Sequence, residues 1–265
     1  MKAVVCVKQT PTTTAVYRVE DGIVKWDDPT GGKPHVVNPW DEYAIEETIR
    51  LKENHGASEA IALTVGDGSA NSALKTCLAM GCTSALLVSD DSLAGSGGQG
   101  TARALAAAIK HTEASIAVFG KQAIDGDTGM TTIMTARALG WTPLTYVSAI
   151  KEISDDTITV ERMLERGVQT VTAKMPVVIS VVKEANEPRY PSFMGIRKAN
   201  RATIPTVSAD DIGVEGEVGE DSSKVDWSNV YAPPTRVMET EMITGASAEE
   251  IAATLADRLM DEKVI

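Results

Sequence analysis

The chain has 265 residues, enough for one large α/β domain with an appendage or for two small domains. Hydrophobic residues make up 43% of the sequence and aromatic residues only 4%, so we expect a full core built mainly from Ala, Val, Ile and Leu. The formal net charge of −12 argues against nonspecific binding to nucleic acid or to an anionic membrane surface.

Several sequence features indicate the compartment. No apolar run approaches the ~18 residues needed to cross a bilayer, so we expect no direct membrane span. Met1–Val5 enters a predicted strand at once and leaves no room for a signal peptide. Cys6, Cys77 and Cys82 are odd in number and lie in apolar segments, as reduced packing residues do. We therefore expect a cytoplasmic protein, and the scattered histidines predict neither a metal site nor a Cys/His nucleophile.

The first predicted elements are a strand, a hairpin and a helix. Ala3–Val7 is fully apolar, as expected for a strand at the centre of a parallel sheet. Residues 16–26 alternate in hydrophobicity around Asp21-Gly22, which predicts a hairpin. Asn38-Pro39 then opens a helix that runs to about Asn54.

Strands and helices alternate over the next segment. Glu59–Val65 is a predicted strand, and a helix that ends at Met80 follows it. The strand Ser84–Ser89 precedes a helix from about Thr101 to Lys110. This β-α-β-α order predicts an α/β fold with a doubly wound, mostly parallel sheet of the Rossmann-like αβα type.

The strand Ser115–Phe119 leads through a loop into a helix predicted over Thr128–Leu139. The first N–H groups of such a helix are unpaired and attract a phosphate. Asp125 and Asp127 would repel a phosphate beside them, so they suit the hydroxyls of a nucleoside whose phosphate lies at the helix end. The alternative is an ordinary βα turn in which Asp127 or Thr128 only caps the helix.

The chain becomes rich in strands after Leu144. Ala149–Ile153, Thr157–Arg162 and Val168–Ala173 alternate as hairpin strands do, and residues 176–182 form a second fully apolar strand. We assign residues 1–182 to an α/β nucleotide-binding domain with β-hairpin additions.

The remaining residues lack the alternation of strands and helices. Residues 183–236 contain prolines, glycines and acidic runs but little apolar periodicity, and we predict an extended arm. In the C-terminal segment 237–265, Ser247 and Glu250 form a capping box at the start of a helix. One face of this helix carries an apolar stripe of Ile251, Leu255 and Leu259. The stripe needs a covering surface, either on its own domain or on a partner subunit.

With these elements placed, the sequence resembles the β subunit of an electron-transfer flavoprotein over nearly its whole length. Short motifs in the same order carry the resemblance: Val5-Cys6-Val7-Lys8, Asn38-Pro39 with Glu46-Glu47, Ala79-Met80-Gly81, Gly120-Lys121-Gln122-Ala123-Ile124-Asp125, Val160-Glu161-Arg162 with Met175-Pro176, Asn186-Glu187-Pro188-Arg189-Tyr190, and Pro233-Pro234-Thr235-Arg236.

The resemblance implies a carrier subunit rather than an enzyme. Proteins of this family are αβ heterodimers that accept electrons on FAD from acyl-CoA dehydrogenases and related flavoenzymes, as in fatty acid oxidation, and pass them to a downstream oxidoreductase. The α subunit holds most of the FAD. The β subunit binds AMP in typical members and a second FAD in electron-bifurcating, NADH-oxidising ones.

The resemblance also implies a nucleotide site at the carboxyl ends of the sheet. The matching positions are Cys6, Asn38, Pro39, Trp40, Asp41, Val65, Ala123, Ile124, Asp125, Gly126, Asp127, Thr128, Gly129, Met130, Thr131, Thr132, Ile133 and Met134. Trp40 matches the aromatic residue that lies near the FAD ring of the α subunit, or is an ordinary core or interface tryptophan. Residues 129–134 match neither the usual single-flavin pattern nor the bifurcating one. AMP is therefore the first expectation and a second FAD the alternative.

The arm after Tyr190 corresponds to the loop with which the family grips its dehydrogenases. Phe193 matches the anchor position, and we expect Met194 and Ile196 to accompany it. Arg197 and Lys198, with Arg201, form a small basic patch suited to an acidic dehydrogenase surface. The alternative is that Phe193 folds back on its own domain.

Two other classes of protein compete with this interpretation. A nucleotide-binding module of the universal-stress type shares the α/β core, but it needs a Gly-rich triphosphate loop that this sequence lacks. An enzyme acting alone would need an acid–base pair or a nucleophile, and none stands out.

Overall fold

The computed structural model of the chain describes residues 1–32, 34–225, 228–234 and 240–265. Thr235 and Arg236, which belong to the last resemblance motif, lie outside the described residues, as does the predicted boundary between 236 and 237. In chain order the strands and helices are β1 Lys2–Cys6, β2 Gln9–Pro11, β3 Val16–Glu20, β4 Ile23–Asp27, β5 His35–Val37, α1 Pro39–Asn54, β6 Glu59–Val65, α2 Asn71–Met80, β7 Ser84–Val88, α3 Gly97–His111, β8 Ile116–Gly120, α4 Thr131–Leu139, β9 Thr142–Ser154, β10 Thr157–Leu164, β11 Gly167–Lys174, β12 Val177–Val181, α5 Phe193–Arg201, β13 Thr206–Val207 and α6 Ala248–Asp261.

One large sheet organises the described residues, with strand order β11-β10-β9-β12-β8-β1-β6-β7-β13. The strands from β9 to β13 in this order are parallel, and β10 and β11 extend the sheet as antiparallel strands. The chain order reverses at β1, which pairs with β6 on one side and β8 on the other. This topology confirms the predicted doubly wound, mostly parallel α/β fold.

The apolar strands pack on both faces of the sheet because successive side chains point in opposite directions. Val5 lies in the core beneath α1 and α2, together with Ile45 and Leu74. Val4 lies in the core on the opposite face, beneath α3, together with Ile109. The two layers of helices leave the carboxyl ends of the strands as the edge where a ligand can enter.

Several predicted elements are confirmed. β6 has the predicted bounds Glu59–Val65, and α1 ends at the predicted Asn54. β3 and β4 form the predicted hairpin, and its central residues Asp21 (φ 52°) and Gly22 (φ 75°) have the positive φ that a type I′ turn requires. Among the predicted bounds that were wrong, α3 begins at Gly97 rather than Thr101, and β9 is a 13-residue strand rather than Ala149–Ile153.

The helix predicted from Thr128 begins instead at Thr131. Asp127 (φ 49°) and Gly129 (φ 60°) are left-handed, which excludes them from a right-handed helix. Met130 is the N-cap residue, and its side chain makes no capping hydrogen bond. Neither Asp127 nor Thr128 is therefore the predicted cap, whereas the predicted stop at Gly140 is confirmed (φ 72°).

The prediction of an extended arm is wrong for Phe193–Arg201, which form α5. Ser192 caps this helix, because its side chain accepts a hydrogen bond from the Gly195 N–H at 2.9 Å. The helix packs on α2 through Gly195, where a Cβ would contact the Ala79 carbonyl oxygen and lie 3.1 Å from its carbon. The buried residue of α5 is Ala199. Because the contact with α2 is made by small residues, the sequence shows no stripe of large apolar residues that would have predicted this helix.

The described residues form two compact units, Met1–Val230 and Tyr231–Ile265. In the second unit Ser247 accepts a hydrogen bond from the Glu250 N–H at 3.3 Å, as the capping box predicted. Ile251 and Leu255 of α6 are exposed within this unit. The assignment to regions 1–182, 183–236 and 237–265 stays a prediction. Among the described helices, none combines the length and apolar character needed to cross a membrane.

Candidate functional site

A cavity of about 670 Å³ opens at the carboxyl edge of the sheet. Its lining includes Cys6 at the end of β1, Val65 at the end of β6 and Gly120 at the end of β8. It therefore lies where the chain order reverses, the usual ligand position of an open α/β sheet. Its volume is within the range of pockets for small molecules and cofactors.

A buried carboxylate stands at the centre of this edge. The Asp41 side chain accepts a hydrogen bond from the Lys8 N–H at 2.7 Å. A Cβ at Gly120 would contact Asp41 and lie 2.6 Å from the Trp40 carbonyl carbon, so only glycine fits there. Burial raises the pKa of Asp41 to about 7 against the lowering effect of these hydrogen bonds. Asp41 therefore carries a proton part of the time near neutral pH.

Cys6 lies beside this carboxylate at the end of β1. Burial, with a smaller contribution from the Asp41 charge, raises the pKa of the Cys6 thiol well above its ordinary value. A neutral, buried thiol is a weak nucleophile, so Cys6 lines the cavity as a small apolar side chain. Cys77 and Cys82 are also free and buried.

Asn38 holds the loop that follows β8. Its Nδ2 donates to the Gln122 carbonyl at 2.8 Å, and its Oδ1 accepts from the Ile124 N–H at 3.2 Å. The residue is buried at the start of α1 and fixes a loop 84 residues later in the chain. Asn38 thus lines the cavity, but its side-chain amide is occupied by hydrogen bonds to the loop that forms the cavity wall.

The two loop aspartates are also bonded within the protein. Asp125 forms an ion pair with Lys8, with Nζ and Oδ2 at 2.7 Å. Asp127 accepts a hydrogen bond from Gln122 Nε2 at 2.8 Å. Both residues line the cavity, and each carboxylate can still accept further hydrogen bonds, for example from ligand hydroxyl groups.

The structure brings most of the predicted nucleotide residues together. Those that line the cavity are Cys6, Asn38, Asp41, Val65, Ala123, Asp125, Gly126, Asp127, Thr128, Gly129, Thr131 and Thr132. Those outside its lining are Pro39, Trp40, Ile124, Met130, Ile133 and Met134.

The predicted residues outside the lining lie around it. Met130 and Ile133 are exposed to solvent. The Met134 sulfur lies 3.4 Å from the position of a Cβ on Gly98, so it packs on the first turn of α3. Trp40 lies on the other side, beneath the Lys121 side chain.

The sequence predictions missed the contribution of α3. Its first turn brings Gly97 and Gly98 to the cavity, and Thr101 Oγ1 donates to the Gly97 carbonyl at 2.8 Å. The signal was the run of glycines from Gly95 to Gly98, which lies between β7 and the predicted helix as the Gly-containing loop lies between β8 and α4. The predictions also missed Lys8 and Lys121, the lysines of the lining.

Lys121 has an unusual environment at the rim of the cavity. Its Nζ lies 5.2 Å from the centroid of the Trp40 ring and 5.9 Å from that of Tyr146. Both distances are within the range of cation–π contacts. Tyr146 has φ 58°, which is rare for a residue of this size and occurs here inside a strand.

A second exposed surface lies on α5 and on Tyr190 in the segment that leads into it. Tyr190 is 94% exposed, Phe193 80% and Met194 69%. Ile196, Arg197 and Lys198 are exposed on the same helix. The alternative that Phe193 folds back on its own domain is therefore wrong.

Bonds to α1 hold the segment that leads into α5. Arg189 Nε and Nη2 donate to the two oxygens of Glu46 at 2.8 and 3.0 Å, and the guanidinium also bonds Glu53 at 2.8 Å. Asn186 Nδ2 donates to Glu47 at 2.9 Å. Two of the resemblance motifs, Glu46-Glu47 and residues 186–190, thus contact each other although they are far apart in the sequence.

Comparisons with known proteins give a family match and several relatives. The family described as "Electron transfer flavoprotein domain" matches residues 30–212. The chain is 35% identical to "Caffeyl-CoA reductase-Etf complex subunit CarD" of Acetobacterium woodii and 36% identical to "Electron transfer flavoprotein subunit beta" of Thermoanaerobacterium thermosaccharolyticum, each over 100% of both chains. It is 32% identical to "Electron transfer flavoprotein subunit beta" of Bos taurus, over 97% of both chains.

Proposed function

Because the chain belongs to the electron transfer flavoprotein family as a β-type subunit, we propose that it binds an adenine nucleotide in the cavity at the carboxyl edge of its sheet. Subunits of this type pair with an α subunit and act as electron carriers rather than as enzymes. We propose further that the heterodimer accepts electrons from acyl-CoA dehydrogenase-type flavoenzymes and passes them to an oxidoreductase. The family match across 30–212 removes the universal-stress module and the free-standing enzyme as competing interpretations.

The single observation that carries this proposal is the fit of the cavity to a nucleotide. The first turns of α3 and α4 meet at its wall, and their backbone N–H groups suit a phosphate. Gly97 and Gly98 line the cavity without a side chain of their own. Asp125 and Asp127 are suited to ribose hydroxyls.

The carrier's electron chemistry is supplied by FAD held mainly by the α subunit. The residues of this chain have supporting roles: Asn38 holds the loop wall, the aspartates accept hydrogen bonds from hydroxyls, and the strand ends exclude water. An adenine nucleotide in the cavity would tie together β1, β8 and α4, because all three border it. Its role in this proposal is therefore structural.

The surface on α5 supports the proposal for the electron donor. An exposed Phe193 beside Met194 is an apolar anchor of the type that fills a partner's pocket. Arg197 and Lys198 add positive charge to an otherwise acidic chain, which suits an acidic dehydrogenase surface. The relative CarD belongs by its name to a caffeyl-CoA reductase complex, which is consistent with a partner that acts on an acyl-CoA.

A second FAD in place of AMP is the alternative nucleotide. AMP occupies the adenylate part of the same site, so both ligands share the chemistry of the wall. The size of the cavity and its extension from α3 to Lys121 leave room for a ligand longer than AMP. This is the observation that keeps the bifurcating function as a second candidate.

A count of ligands tests the proposal. The chain is produced together with its α subunit, the complex is denatured in acid, and released FAD and AMP are quantified by chromatography. One FAD and one AMP per heterodimer supports the first candidate, and two FAD without AMP supports the second. A complex that holds one FAD and no adenine nucleotide beyond it contradicts the proposed use of the cavity.

A further inference from the structure

We propose that Asp41 couples ligand binding in the cavity to the uptake of one proton, so that the cavity binds its ligand more tightly when this carboxyl is protonated. This inference rests on the proposed function, since it needs a ligand in the same cavity. It goes beyond that function by making the affinity of the cavity depend on pH through the burial and the contacts of one carboxyl.

Asp41 lies where the chain order of the sheet reverses. Its Oδ2 accepts a hydrogen bond at 2.7 Å from the N–H of Lys8, which follows closely on the end of β1. The carboxyl also lies against Gly120 at the end of β8, so closely that no Cβ fits there. Asp41 thus bridges the ends of two neighbouring strands, and it lines the cavity although it is only 6% exposed.

The Asp41 carboxyl is buried without an ion pair to any residue in the described part of the chain. The Lys8 ammonium is the positive charge that acts on it, but that ammonium is held by Asp125, with Nζ and Oδ2 at 2.7 Å. Burying an ionised carboxylate without a partner costs free energy and favours its neutral form. Burial accordingly raises the pKa of Asp41 to about 7, against the lowering effect of the Lys8 N–H. Both protonation states are therefore populated near neutral pH.

The other side chains that face Asp41 do not titrate near neutral pH. Besides the ammonium already described, its ionisable neighbours are the thiols of Cys6 on β1 and Cys77 on α2. Burial raises the pKa of both thiols well above the ordinary value, so they stay neutral. Asn38 at the start of α1 and Gly120 on β8 carry no titratable side chain. Asp41 is thus the group that exchanges a proton at this point of the cavity wall.

A ligand in the cavity should shift Asp41 toward its protonated form. It displaces water that would otherwise hydrate the carboxylate, which makes the charged form more costly. The phosphate of a nucleotide adds a like charge and acts in the same direction. If the pKa of Asp41 is higher in the complex than in the free protein, the complex holds more protons. The affinity should then be full below about pH 7 and should fall as pH rises above it.

The test uses adenosine, which carries no charge and no group that titrates near neutral pH. The nucleotide-free heterodimer is titrated with adenosine by calorimetry at about pH 6 and about pH 8, in buffers of different ionisation enthalpy. The dissociation constant should be about 5- to 10-fold larger at the higher pH, as one linked proton requires. Close to one proton should be taken up for each adenosine bound at the higher pH. The infrared difference spectrum should show a carboxylic-acid band that appears on binding.

Three variants identify the group that takes up the proton. Asp41→Asn removes the titrating carboxyl and should abolish both the pH dependence and the infrared band. Asp67→Asn is the matched control and should keep both, because Asp67 also lines the cavity but hydrogen bonds from Ser69 hold its pKa below the ordinary value. His35, whose charge acts on Asp67, is the histidine to exclude, and His35→Gln should also keep the native pH profile.

Several results would overturn the inference. A native dissociation constant that stays constant or falls as pH rises does so while leaving the proposed function intact. A native profile that persists in Asp41→Asn, or is lost in His35→Gln, also overturns it. If Asp41→Asn does not fold, the proton uptake and the infrared band of the native heterodimer, with the two other variants, still decide. A native heterodimer that binds neither adenosine nor AMP contradicts the proposed function, and the inference fails with it.

Discussion

Replacing Arg189 by Ala should destabilise the heterodimer and displace the segment that leads into α5. The guanidinium makes two bonds to Glu46, whose side chain is only 4% exposed, and two to the half-exposed Glu53. Breaking a buried ion pair costs about 3–5 kcal/mol because a charge is left without its partner. Glu46 keeps a bond from Arg50 at 3.2 Å, and Arg189 is partly exposed, so we expect about 2–3 kcal/mol.

The pH dependence of this cost follows from Glu46. Burial would raise the pKa of Glu46, but the bonds and charge of Arg189 hold it below its ordinary value of 4.5. A carboxyl whose folded pKa is depressed contributes stability that is present above the unfolded pKa and is lost as pH falls through the folded one. The difference between native protein and variant should therefore be full at about pH 7 and should shrink below about pH 4.

Urea unfolding of the heterodimer at fixed protein concentration measures the difference. Glu53→Ala is the matched control, since it removes only the exposed pair and should cost less than about 1 kcal/mol. Arg189→Lys keeps the charge but not the planar fork, and should lie between the two. A cost for Arg189→Ala no larger than for Glu53→Ala at neutral pH, or a cost that persists in acid, would refute the reasoning.

The remaining predictions concern α5 and the buried carboxylate. Phe193→Ala should slow flavin reduction by the dehydrogenase and weaken binding to the dehydrogenase by about 2 kcal/mol or more. The melting temperature should stay unchanged because the ring is 80% exposed. A lowered melting temperature with an unchanged rate of flavin reduction would contradict this. Gly195→Ala should cost about 1–3 kcal/mol and slow the same reaction, because a methyl group there meets the Ala79 carbonyl; native stability and rate in this variant would show that α5 does not depend on that contact. The native protein should lose stability as pH rises from about 4 to about 7, because the raised folded pKa makes the buried Asp41 carboxyl costly to ionise. Asp41→Asn has no such carboxyl, so its free energy of unfolding should gain up to about 4 kcal/mol relative to the native protein over this range. Thermal unfolding across that range measures it, and parallel pH profiles of the two proteins would contradict it.

The sequence predicted the large sheet well because its signals are local. Fully apolar strands and alternating helices specify a parallel sheet, and the bounds of β6 came out as predicted. The start of α4 was not predictable in this way. The loop imposes a left-handed backbone conformation on Asp127. In the sequence alone, an aspartate at that position is equally typical of a helix cap.

The elements that failed to be predicted depend on contacts between distant residues. α5 packs through Gly195 and Ala199, small residues that give no apolar period. The role of Glu46 becomes visible only when Arg189, 143 residues later, lies beside it. The general position of the candidate site followed from the strand ends, whereas the glycines of α3 and the position of Lys121 beside two aromatic rings required the assembled edge of the sheet.

Helix α1 links the two surfaces of this chain. Its first turn carries Asp41 at the cavity and Trp40 outside the cavity lining, and Glu46 and Glu47, about two turns further along, hold the segment that precedes α5. A helix of this length bends little, so it acts as a spacer of fixed length between the exposed surface of α5 and the cavity. Every electron donor that docks on α5 would meet the same spacing. Under the proposed function, donors of different shape can then dock on α5 without displacing the first turn of α1 at the edge of the cavity.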